Sequence, residues 1–124
     1  MNVGDILYCR IPFADATITP YLRYYVVIKA DFSKFSCLNL SSIEGKEHKL
    51  AFPSNKEVDN CVPPMFVRTM VKLDEEYVIS RPYSENVIFD HFNQTIMNII
   101  LDQEERYKSR PDSRYQVVNS RIIN

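Results

Sequence analysis

Arg23 stands at the head of the apolar run Tyr24-Tyr25-Val26-Val27-Ile28, behind a polar stretch punctuated by Pro20. A guanidinium so placed can grip a phosphate through two parallel hydrogen bonds. The polar stretch before it can move over an extended ligand. Tyr21, Tyr24 and Tyr25 cluster around it in sequence. Aromatic rings beside a cation suit stacking of single-stranded bases, although Tyr25, in mid-strand, reads better as core filling. Lys46, Lys49, Lys56, Arg68 and Lys72 add cations that form a phosphate-binding patch if the fold brings them together. An imidazole is the side chain whose chemistry suits proton exchange near neutrality, and the sequence offers two, His48 and His91. His91 falls in a helical pattern beside Phe89 and Phe92. His48, flanked by Glu47 and Lys49, reads first as a surface-strand side chain.

Other chemistries lack their residues. The sequence has no G-x-S-x-G and no H-E-x-x-H. Its only glycines are Gly4 and Gly45, too few for a phosphate-cradling glycine loop. Cys9, Cys37 and Cys61 are odd in number and include no C-x-x-C pair, so neither a disulfide framework nor a zinc site is expected. Fifteen basic and sixteen acidic side chains give a net charge of −1, so any nucleic-acid surface must be a local patch. No cofactor and no metal are expected. The absence of a signal-like start and of a membrane-length apolar run predicts a reduced, soluble, cytoplasmic protein.

The elements that must position these residues are mostly strands. Apolar and alternating patterns predict strands over 5–12, 24–30, 35–42, 46–52, 65–72 and 77–79, with a polar loop over 13–22, a turn at Gly45 and a loop over 53–64. The period then changes. Ser84 or Asn86 can cap a helix over about 86–108, whose stripe is Ile88, Phe89, Phe92, Ile96, Ile99 and Ile100. Pro111 stops it, and 112–124 reads as an added edge strand or a frayed end. Short strands followed by one helix predict a mainly β domain, a small curled antiparallel barrel over 1–110 with a closing helix and a 111–124 tail. That tail and the helix end hold Arg106, Lys108, Arg110, Arg114 and Arg121, which can meet phosphates or an acidic partner.

The Gly4-Asp5-Ile6-Leu7 start, Arg23 before a hydrophobic strand, and the order of elements over roughly 3–108 resemble the MazF/PemK family of toxin endoribonucleases, small SH3-like barrels of toxin–antitoxin systems. Tyr24 stands where that family carries Pro. The resemblance implies metal-independent cleavage of single-stranded RNA: the ribose 2′-hydroxyl attacks the adjacent phosphorus, expels the 5′-oxygen and leaves a 2′,3′-cyclic phosphate. It implies Arg23 as the group that stabilises the developing charge. It places Ser41 or Ser42 where the family has a Thr at a strand end, with Ser41 orienting the phosphate. His48 is then the candidate for proton transfer. Tyr21, Tyr24, Ser42, Lys46, Lys49 and Arg68 are the candidate RNA contacts. A homodimer and a cognate antitoxin are the implied partners, and no membrane is. Two other readings stay open: a non-catalytic barrel that binds protein or nucleic acid, and a toxin aimed at a protein, as in the related gyrase-poisoning toxins.

Overall fold

The computed structural model describes residues 1–58 and 67–123. It is a mainly β domain, as the strand pattern predicts. The strands are β1 (Asp5–Cys9), β2 (Arg23–Ala30), β3 (Lys34–Ser42), β4 (Asn55–Val58), β5 (Thr69–Lys72), β6 (Glu75–Ser80), β7 (Ile88–His91) and β8 (Gln116–Ser120). The helix α1 (Gln94–Lys108) lies between β7 and β8.

One long strand explains the curl. β3 pairs with β2 along one edge. Its other edge is shared: Lys34 to Cys37 pair with β6, and Leu40 to Ser42 pair with β5. The sheet divides there and bends around. β1 and β7 extend it beyond β2, β4 extends it beyond β5, and β8 adds to β6 in parallel. The sheet does not close into a barrel: among the described residues β4, β7 and β8 each pair on one side only.

Strand alternation sends apolar side chains to both faces. Ile6, Val26, Leu38, Leu40 and Val71 face α1 and pack with Phe92, Ile96, Met97 and Ile100. Leu7, Cys9, Tyr25, Val27, Phe35, Cys37, Tyr77 and Ile79 fill the inside of the curl. Cys9 and Cys37 are free thiols buried there, and burial pushes Cys9 up to about 12. Cys61 lies outside the described residues. A bulge in β2, where the register passes from Val27↔Cys37 to Lys29↔Ser36, adds to the bend.

The predicted elements change in four places. The helix begins at Gln94 rather than near 86, because Asn93 caps it: its Oδ1 accepts from Ile96 N–H at 2.9 Å. Residues 88–91 pair with β1 instead, so His91 lies on a strand. Phe89 and Ile99 are exposed, whereas Phe92 is buried with Ile96 and Ile100. A β-branched and aromatic run satisfies strand and helix spacings alike over so short a span. Residues 46–52 form no strand. Glu47–Ala51 make a 3-10 turn entered from Gly45, whose φ of +76° suits only a glycine readily. The segment read as loop contains β4, of which only Asn55 and Val58 are buried, so alternation is weak there. The strand placed at 65–72 begins at Thr69; Met65 and Phe66 lie outside the described residues. The tail supplies β8, and no described helix is long and apolar enough to cross a membrane.

Candidate functional site

Arg23 and Asn39 lie on the inward face of the curl, above Tyr25 and Cys37, where the packed interior ends. Tyr25 pairs with Asn39 in register, so the two strands deliver Arg23 and Asn39 side by side. Arg23 Nη2 donates to Asn39 Oδ1 at 2.5 Å. Asn39 Nδ2 donates to the carbonyls of Tyr24 and Leu40 at 3.0 and 3.1 Å, which locks the amide with its oxygen toward Arg23. The guanidinium lies over the Phe13 ring, 4.6 Å from its centroid. Its Nη1 is buried and has no hydrogen-bond partner among the described residues. A buried donor on a charged group left without an acceptor is uncommon, because it loses its hydration without replacement.

Arg23 lines a cleft of about 390 Å³. Phe13, Arg23, Asn39 and Tyr77 line it from the curl; Lys49, Phe52, Ser54 and Asn55 from the connection into β4; and Lys72, Asp74 and Glu75 from the β5–β6 turn. The turn is held in place by backbone bonds: Leu73 N–H donates to Ser54 O at 2.7 Å, and Gln116 N–H to Asp74 O at 2.9 Å. Tyr77 donates its hydroxyl to Glu75 at 2.6 Å.

The charges in the cleft perturb one another. Burial lowers the pKa of Lys72, and the cations Arg23 and Lys49 lower it further, as does Lys46. Burial raises the pKa of Asp74, with Glu75 adding to the shift. A lysine shifted down and a carboxyl shifted up share one cleft with an arginine. Such a set can bind an anionic group and move protons at it.

The other sequence candidates lie around or away from this cleft. Lys49 lines it. Ser41 is the next inward position of β3 beyond Asn39 but does not line it; its hydroxyl accepts from Lys46 Nζ at 3.2 Å. Ser42 is exposed at the end of β3. His48 is exposed on the 3-10 turn, next to Lys49 but outside the lining. Arg68 pairs through two nitrogens with Glu57, at 2.9 and 2.7 Å. Tyr21 is exposed in the loop. Tyr24 points to the opposite face from Arg23, where its ring meets Tyr8 at 4.6 Å and Phe89 at 5.2 Å. Tyr25 is buried, and burial pushes its hydroxyl up to about 12.

Sequence reasoning missed Asn39, Asp74, Phe13 and Phe52. Asn39 carried a signal: it is an amide on the same strand face as Phe35 and Cys37. Asp74 carried less, since an acidic turn is an ordinary surface feature. In comparison with known proteins, no family model matches this chain, and no curated protein matches it.

Proposed function

We propose that the cleft binds a phosphate of single-stranded RNA and that the protein is a metal-independent endoribonuclease. The observation that carries this is Arg23: its position is fixed by Asn39 and Phe13, and one of its donors is buried without an acceptor among the described residues. A phosphate oxygen is the acceptor with matching charge and geometry. The MazF/PemK resemblance, carried by Gly4-Asp5-Ile6-Leu7, Arg23 and the element order, supplies the reaction class.

In this reading Arg23 meets the phosphoryl oxygens as charge develops on them. Lys49 and Lys72 hold the neighbouring phosphate groups near. Asp74, its pKa raised, accepts the 2′-hydroxyl proton as that oxygen attacks phosphorus. Lys72, its pKa lowered, returns a proton to the departing 5′-oxygen. A base shifted up and an acid shifted down both approach the working pH, where general catalysis is most effective. Ser41 orients Lys46 at the rim rather than the phosphate itself, and His48 takes no part. The toxin setting, a cognate antitoxin and a homodimer belong to the same proposal. The single-sided pairing of β4 and β7 supports assembly, since unpaired strand edges favour association.

The test is incubation of purified protein with a diverse single-stranded RNA pool, with chelator present. Fragments ending in 2′,3′-cyclic phosphate are expected, and Arg23→Ala should abolish them. A second reading, a phosphate-binding module without cleavage, is favoured by Tyr24 in place of the family Pro and by the arginine's bond to Asn39. RNA retained but left uncut by the wild-type protein would select it.

A further inference from the structure

We propose that Phe52 and Asn55 form a nucleobase subsite beside Arg23, so that the cleft takes a nucleotide as one unit. The inference rests on the phosphate reading of Arg23 and extends it to the group that the phosphate carries.

Phe52 is 57 % exposed, yet its backbone is clamped on both sides. Its N–H donates to Lys49 O at 3.2 Å, and its carbonyl accepts from Asn55 N–H at 3.0 Å. A phenyl ring held on a fixed backbone but left in water gains nothing from burial in the core. Its backbone is already ordered, so a ligand that the ring meets need only settle the side chain itself. The ring stands on the wall of the same cleft as Arg23, Lys49 and Lys72. Those three cations outnumber the carboxylates Asp74 and Glu75 of the same cleft, which argues for an anionic ligand bearing a flat face, rather than for an apolar peptide.

Asn55 is 8 % exposed and lines the cleft next to Phe52. Its Nδ2 donates to Lys49 O at 3.0 Å, which holds the amide in one orientation. The other polar atom of that amide is an acceptor, suited to an exocyclic amine or ring N–H of a base. The cleft volume, about 390 Å³, falls in the range of small-ligand sites, roughly 300–1,000 Å³. A base stacked within a duplex has no free face for the ring, so this subsite selects unstacked nucleotides.

The experiment is a titration of the full chain with inorganic phosphate, with ribose 5-phosphate and with each ribonucleoside 5′-monophosphate. At least one nucleotide should bind about tenfold more tightly than ribose 5-phosphate, in keeping with one stacked base. Phe52→Ala should bring that nucleotide to the level of ribose 5-phosphate and leave ribose 5-phosphate unchanged. Phe52→Tyr should keep the preference. Equal binding of nucleotide and ribose 5-phosphate by the wild-type protein, or a preference that survives Phe52→Ala, would overturn the subsite while the phosphate site stands. Failure of every phosphate ligand to bind would overturn both.

Discussion

Glu75 and Glu76 are neighbours in β6, and strand alternation sends them to two polar clusters of opposite character. Glu76 is buried on the helix side, where it accepts from Tyr115 and from Lys29 at 3.4 Å. The Tyr115 hydroxyl also reaches Glu104, buried on α1, at 3.5 Å, and Lys108 closes the cluster 3.4 Å from Glu104. Burial works against the ionised form of Glu76, but Tyr115, Ser36 and the lysines outweigh it and its pKa falls. Burial and the charge of Glu76 push Glu104 up against the pull of Lys108. Donors and acceptors match in that cluster, and it ties α1 and the residue before β8 to the sheet. The Glu75 cluster also mixes cations and carboxylates, but it surrounds a cleft and leaves Arg23 Nη1 without an acceptor among the described residues. A matched buried network stabilises a fold; an unmatched one beside a cleft is what the phosphate of the proposed site would complete.

Substitutions on the two sides should therefore behave in opposite ways. The largest effect on stability is expected at Phe92, which seats the start of α1 in the core and so brings Glu104 toward Glu76. Phe92→Ala should lower unfolding free energy by about 3–5 kcal/mol in urea titrations. A loss below about 1 kcal/mol would contradict the packing given to Phe92. Tyr115→Phe should follow, at about 1–3 kcal/mol, since it leaves two buried carboxylates without their shared donor. RNA cleavage at a temperature where this variant stays folded should be unchanged.

Arg23→Met should show the reverse: a stability change within about 1 kcal/mol, because the charge it removes is incompletely paired, and loss of activity. A destabilisation as large as that of Phe92→Ala would make Arg23 a structural residue. Asp74 gives a pH test with a definite sign. Its folded pKa is raised, so it favours the folded state below its unfolded pKa, and that contribution is lost as pH rises through the folded value. As a base it must be ionised, so cleavage should climb as pH rises through that same raised value. Asp74→Asn should remove the acid limb of the pH–rate profile. The smallest effect is expected at His48, where His48→Ala should leave the profile in place; a vanished limb there would return proton transfer to the histidine.

The strands of the curl were legible because 24–30 is a continuous apolar run and 35–42 alternates; their register joins Arg23 to Asn39. The helix end at Lys108 was legible from Pro111. Its start was not, since Ile88, Phe89 and Phe92 satisfy strand and helix spacings together, and only the cap at Asn93 separates them. Arg23 could be read because a cation before an apolar run is conspicuous. Lys49 and Lys72 could be read as patch candidates, but Phe13, Phe52 and Asp74 could not be read, because they converge through the bend of the sheet. His48 and Ser41 were chosen for what their side chains can do, and chemistry alone does not place a side chain in a cleft.

The most direct test is a chemical-shift titration of isotope-labelled protein with a short single-stranded RNA made uncleavable by 2′-deoxy substitution. The account predicts saturable shifts at the Arg23 side chain, at the Asn39 and Asn55 amides and at Lys72, with the Tyr8, Tyr24 and Phe89 face unmoved. Shifts on that aromatic face or around His48, with Arg23 and Asn39 silent, would contradict it.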